Sequence, residues 1–121
     1  KNSKIAVLGL TFKAGTDDLR SSPSLAVIEH LLARNAQITA YDPMVTFPTS
    51  EIGEIEVVGS AYEAANGADV LVVLTEWQEF ADLDFNLINE TMRRPVIVDA
   101  RNLLDPHYLE PLGFLYIGIG Q

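Results

Sequence analysis

A layered α/β fold, with a mostly parallel sheet of about six strands and helices on both faces, is predicted by three observations. Short β-rich runs alternate along the whole chain with segments of helical apolar spacing. Val70-Leu71-Val72-Val73-Leu74 has no polar alternation, as expected of a central parallel strand covered on both faces. Pro95-Val96-Ile97-Val98-Asp99 is a second continuous apolar run of strand length. With 121 residues and 48% hydrophobic content, the chain is long enough for one domain, residues 1–121, with its own core.

The first strand is Lys4-Ile5-Ala6-Val7-Leu8, closed by Gly9. Residues 9–24 form a polar stretch from there to the next helix, longer than the roughly 2–6 residues of most such connections. Its Lys, Arg, Asp and Thr content reads as a binding loop, with a solvated loop over the sheet end as the plainer alternative. The helix carries Leu25, Ile28, Leu31 and Leu32 on one stripe, with Ser22 as N-cap, Pro23 in the first turn and Asn35 at its end. Gln37-Ile38-Thr39-Ala40-Tyr41 is the second strand, stopped by Asp42-Pro43.

Residues 44–54 have one proline, one glycine and no helical period, and are read as an irregular connection to a short edge strand, Glu56-Val57-Val58. Ser60 opens a small helix through Ala61, Tyr62, Ala64 and Ala65 that ends near Asn66-Gly67. After the central strand, Thr75 and Gln78 match the capping-box spacing, so a helical turn is expected to start at Thr75. A helix over Phe85 to Met92 would bury Leu87, Ile88 and Met92. Another spans Pro106 to Leu112, and Phe114 to Ile117 is the last strand.

Composition narrows the function. Seventeen acidic residues against eight basic ones give a net charge of −9, which disfavours nucleic acid as a partner. The absence of cysteine excludes disulfides, thiolate metal sites and a cysteine nucleophile within this chain. No apolar run approaches the roughly 20 residues that span a bilayer, and no signal peptide is evident, so no membrane partner and a cytoplasmic location are expected. Because the chain opens at Lys1 and a strand begins almost at once, it reads as a domain cut from a longer polypeptide.

In open parallel sheets, ligands bind outside the carboxyl ends of the strands near the switch in strand order. Those ends should present Lys13 with Arg20, Asp42, Thr75-Glu76-Trp77 and Arg101-Asn102. Leu10-Thr11-Phe12 follow Gly9 where a dinucleotide fingerprint needs further glycines, so this is not a standard NAD-binding half. With so few cations, Lys13, Arg20 and Arg101 are candidates to converge on one anion, the alternative for each being a solvated surface charge. Asp17 and Asp18 are read as partners of Arg20 or loop caps rather than catalytic acids. Asp42 sits where a ribose-binding acid would, and before Pro43 it reads more simply as a turn residue. Trp77 is read as packing. His30 and His107 have no companions at metal or triad spacing and receive no role.

Gly9-Leu-Thr-Phe-Lys13, Thr16-Asp-Asp-Leu-Arg20 with Ser22-Pro-Ser24, Ala40-Tyr-Asp-Pro43, Leu74-Thr-Glu-Trp77 and Asp99-Ala-Arg-Asn102, in this order, resemble the C-terminal domain of the UDP-glucose/GDP-mannose dehydrogenases. The likeness runs from Lys4 to about Gly118 and implies a Rossmann-like fold. It implies a nucleotide-sugar (UDP)-binding domain of an enzyme that oxidises the sugar's C6 alcohol to a carboxylate in two NAD-dependent steps. The catalytic cysteine would lie in the preceding part of the protein, leaving no catalytic residue here and the isolated domain inactive. Phe12, Lys13 and Arg101 match the family's substrate-contacting residues, and Arg20 matches an arginine that reaches across the interdomain cleft to NAD. UDP-glucose or a related nucleotide sugar, the remaining domains and, in the full-length enzyme, further copies are the implied partners. Ser21 and Ala100 stand where the family often has glutamate and glycine. The Thr-Glu-Trp and Asp-Ala-Arg-Asn motifs look more like the UDP-glucose branch than the GDP-mannose or UDP-N-acetylmannosamine branches. A non-catalytic nucleotide-sensing or assembly module on the same sheet is the competing reading. A phosphoacceptor receiver is discarded, because the acidic cluster it needs at the first strand end is replaced by cations.

Overall fold

The computed structural model describes residues 4–9, 37–43, 56–75, 77–100 and 103–118. The six strands are β1 (Lys4–Leu8), β2 (Gln37–Tyr41), β3 (Glu56–Val57), β4 (Val70–Val73), β5 (Val96–Asp99) and β6 (Leu115–Gly118). They form one sheet in the order β3-β2-β1-β4-β5-β6, and every pairing is parallel. The predicted α/β class, strand number and parallel sense are therefore observed. β4, the most apolar run, lies between β1 and β5 as predicted, and the short β3 is an edge. The helix read over residues 22–35 lies outside the described residues.

The described helices are α1 (Ala61–Ala65), α2 (Gln78–Ala81), α3 (Phe85–Thr91) and α4 (Pro106–Leu109), the last followed by a 3-10 turn at Glu110–Leu112. They share one core with one face of the sheet, where Ala6, Leu8, Leu71, Val73 and Ile97 pack with Ala64, Phe80, Phe85, Ile88 and Leu109. The opposite face is buried over the left half of the sheet through Ile5, Val7, Ile38 and Ala40, and at Val72 in β4. Both faces of the central strands are thus withdrawn from water, which is why those strands are apolar throughout.

Ser60 caps α1 by accepting from the Glu63 N–H at 3.1 Å, and the Glu63 carboxylate returns to the Gly59 N–H at 2.9 Å. The start of α2 departs from its prediction. Its N-cap is Trp77, which makes no side-chain cap bond, so Gln78 is the first helical residue rather than the third. Thr75 is 1% exposed and packed inward against Gly9, a placement that removes it from the helix start.

In α3 the buried stripe is Phe85, Ile88 and Met92, at spacings of three and four, and Leu87 is exposed. Leu87 points about 100° away from Ile88 around the helix, which puts it off that stripe. The predicted helix over Pro106 to Leu112 breaks after Leu109 because Pro111 has no N–H to continue the α-helical ladder. The last strand begins one residue later than predicted, and Phe114 instead fills the core beside Phe85, with ring centroids 6.1 Å apart.

At the amino end of the sheet, Asp69 ties three elements together. It accepts two bonds from the Arg93 guanidinium, the longer at 2.6 Å, and one from the Lys4 backbone N–H at 3.0 Å, while its own N–H donates to the Lys4 carbonyl at 2.7 Å. The Arg93 bonds, and then the Lys4 N–H, hold its carboxyl below the ordinary carboxylate range. A carboxylate with a depressed pKa stabilises the fold above its unfolded value, 3.8, and loses that contribution as pH falls through the lower folded value. Asp69→Asn is accordingly expected to lower the urea midpoint at pH 7 and to differ less from the parent at pH 3, below the unfolded value. Urea titrations of both proteins at the two pH values check this.

Candidate functional site

Chain order reverses between β1 and β4, so the switch point lies where β1 ends at Leu8-Gly9 and β4 ends at Val73-Leu74. Parallel pairing puts the ends of all six strands on one edge, and this edge is where a ligand crevice is expected. The backbone there is continuous. Gly9 donates to the Tyr41 carbonyl at 2.9 Å, Leu74 to the Leu8 carbonyl at 2.9 Å and Ala100 to the Val73 carbonyl at 2.9 Å.

Gly9 has φ +107°, a conformation natural to glycine. A Cβ at that position would lie 2.7 Å from the Thr75 backbone nitrogen and closer still to the Thr75 side chain. Glycine is therefore required twice over, by its dihedral angle and by the approach of β4. Thr75 fills the space beside Gly9, and Leu10-Thr11-Phe12 follow in sequence. Those three residues stand in sequence where a dinucleotide fingerprint has further glycines.

Around the switch point stand Asp42, 1% exposed at the end of β2, and Asp99, fully buried at the end of β5. Asp99 Oδ2 accepts from the Leu104 N–H at 2.7 Å and the Tyr116 hydroxyl at 2.9 Å. With the Ala100–Val73 bond, this fixes both sides of the connection that carries Arg101. Burial, and then donation to Asp99, push the Tyr116 phenol up to about 12. Tyr41 spans from β2 to α2, donating to Glu79 Oε2 at 2.6 Å and meeting Phe80 edge-on at 6.2 Å. Burial, and then Glu79, raise its pKa above the ordinary phenol value.

Neither acid network was apparent in the sequence, since Tyr116 lies 17 residues from Asp99 and Glu79 lies 38 from Tyr41. A buried acid closing an otherwise apolar strand was the only signal for Asp99. Trp77 packs against the core, as read, and its buried Nε1 has no hydrogen-bond partner among the described residues. His107 is exposed on α4 and its backbone N–H is capped by Asp105 at 2.9 Å. Among the described residues no group of His, Cys, Asp or Glu is arranged to hold a metal. A cavity of about 280 Å³ near α4 is lined, among the described residues, by Phe85, Leu103, Leu104, Asp105 and Tyr108.

Phe12, Lys13, Arg20 and Arg101 lie outside the described residues. The connections that carry Lys13 and Arg101 start from the carboxyl ends of β1 and β5. β1 and β5 are separated only by β4, or about 10 Å at the usual strand spacing. In contrast, the described cations, Lys4, Arg93 and Arg94, stand at the opposite end of the sheet around Asp69 and Asn66. Among the described residues no helix is long and apolar enough to cross a membrane.

Residues 6–106 match the profile of the UDP-glucose/GDP-mannose dehydrogenase family, UDP binding domain. A UDP-glucose 6-dehydrogenase of Rhizobium meliloti is 44% identical over 122 residues, covering 100% of this chain and 28% of the relative. One from Pseudomonas aeruginosa is 42% identical, covering 97% of this chain and 27% of the relative. Among solved structures, an NDP-N-acetyl-D-galactosaminuronic acid dehydrogenase from Methanosarcina mazei superposes with a TM-score of 0.85 at 30% identity, over 99% of this chain and 25% of that one. A UDP-D-ManNAc dehydrogenase from Pyrococcus horikoshii gives 0.76 at 34% identity, over 98% and 25%. The chain thus spans little more than a quarter of the length of these relatives.

Proposed function

The chain belongs to the UDP-glucose/GDP-mannose dehydrogenase family as its UDP-binding domain, and from this we propose that its carboxyl edge holds the nucleotide sugar of a UDP-glucose 6-dehydrogenase. The observation that carries the proposal is the arrangement of connections. Those bearing Lys13 and Arg101 leave the same edge on either side of β4. Lys13 and Arg101 place positive charge against the nucleotide sugar, which an otherwise acidic chain needs in order to bind an anion, and Phe12 adds an apolar contact. The names of the curated relatives favour UDP-glucose over other sugars.

The full-length enzyme would oxidise UDP-glucose to UDP-glucuronate with NAD, using a cysteine that this chain does not contain, and would do so in the cytoplasm. NAD is bound mainly by the remainder of the enzyme, a reading supported by Leu10-Thr11-Phe12 standing where a dinucleotide fingerprint has further glycines. Arg20 would reach it from the β1 connection. The chain's own residues bind and orient the sugar nucleotide, and the buried Asp99 holds the Leu104 N–H beyond the connection that carries Arg101. Titration of the chain with UDP, followed residue by residue, tests this reading, with the largest changes expected along the carboxyl edge.

A further inference from the structure

The sheet face opposite the described helices is covered unevenly. Over β1 and β2, and at Val72, its side chains are buried, but at the β5–β6 end Leu115 is 59% and Ile117 43% exposed. By register Leu115 lies beside Val96 and Ile117 beside Val98, both half-buried, so the four form a continuous aliphatic block. The two sheet edges also differ. β3 is two residues long and carries an exposed Glu56, a blunted edge of the kind that discourages pairing. β6 is four residues, Leu-Tyr-Ile-Gly, with no charge and no proline. An uncharged edge strand with an exposed apolar face is what soluble proteins avoid unless something covers it.

We propose that this block is the seat of the rest of the dehydrogenase: an aliphatic surface of the polypeptide beyond the matched portion packs on Val96, Val98, Leu115 and Ile117. The proposal rests on reading the chain as one domain of a longer enzyme. Its relatives contain this portion as only 27–28% of their length, so most of the polypeptide is available to provide the cover. Size favours a tethered partner. Four aliphatic side chains expose far less than the roughly 800 Å² per partner of a stable free-standing complex. A covalent link supplies roughly millimolar effective concentration, at which a small contact suffices. Charge opposes the other occupant, since two copies each carrying −9 repel.

The chain has no cysteine, so Ile117→Cys introduces a single thiol into it, on a side chain already partly in water. The chain has its own continuous core, which lets the isolated domain serve as the reference. The thiol is expected to react freely with a soluble maleimide in the 121-residue chain at every protein concentration. In the full-length enzyme, followed at the same peptide by mass spectrometry, it should react at least about tenfold more slowly, a protection set by local opening. Leu115→Cys is the second variant should the first fold poorly. Equal rates in the two proteins would overturn the proposal. So would a rate that falls with concentration in the isolated chain, which would assign the block to a second copy. UDP binding by the same full-length samples is measured alongside. Its loss with protection intact would count against the UDP-sugar reading alone.

Discussion

Lys13→Ala and Arg101→Ala, each introduced into the full-length dehydrogenase, are expected to weaken UDP-glucose binding about 10- to 100-fold, which matches about 1.5–3 kcal/mol for a hydrogen bond to a charged group. A unit charge 4 Å from a phosphate at an effective dielectric of 20 has about 4 kcal/mol of interaction, against about 0–1 for an exposed surface pair, so a ligand role and a solvated role are well separated. The loss should appear mainly in the Michaelis constant, with the unfolding temperature little changed, because the core lies on the other side of Asp99 and Gly9. Measuring both kinetic constants and thermal unfolding for the two variants checks this. Wild-type kinetics in both would remove these residues from the substrate site.

Gly9→Ala should have the largest effect on stability. Two independent penalties meet at this position: a left-handed dihedral of +107° and a Cβ placed 2.7 Å from the Thr75 backbone nitrogen. Strain of the first kind costs of order 1–3 kcal/mol and overpacking a similar amount, so a loss of about 3 kcal/mol or more is expected. Because backbone as well as side chain is in the way, Thr75→Ala in the same protein should not restore stability. Urea unfolding of the single and double variants decides between this account and a simple side-chain clash, which Thr75→Ala would relieve.

Sequence reasoning reached the architecture because the strongest signals were local. Val70 to Val73 has no polar residue, and only a strand buried on both faces is written that way. Ser60 before Ala61 and Asn66-Gly67 after Ala65 are terminus signals that the structure uses, Gly67 at φ +74°. Local signals also misled. Thr75 and Gln78 have capping-box spacing, yet the Thr75 side chain is drawn inward by the close approach of β1 and β4, a contact across more than sixty residues. Leu87 is as apolar as Ile88, and only the neighbouring elements decide which of the two meets the core.

The site was legible in part for the same reason. Scarcity of positive charge in an acidic chain drew attention to Lys13, Arg20 and Arg101, and the motif order gave them a context. Nothing local shows that Asp99 accepts from Tyr116 or that Tyr41 donates to Glu79. Each pair depends on two elements brought together by the parallel sheet. The exposed Leu115 and Ile117 were equally hidden, since an apolar β6 reads the same whether its faces are covered or not.

The most direct test of the central claim is an NMR titration of the isotopically labelled 121-residue chain with UDP. The largest amide shifts are expected along the carboxyl edge, at Gly9, Leu74, Thr75 and Ala100, with Gly67, Asp69 and Arg93 at the amino end nearly still. Largest shifts at the amino end, or none at the carboxyl edge at millimolar UDP, would contradict it.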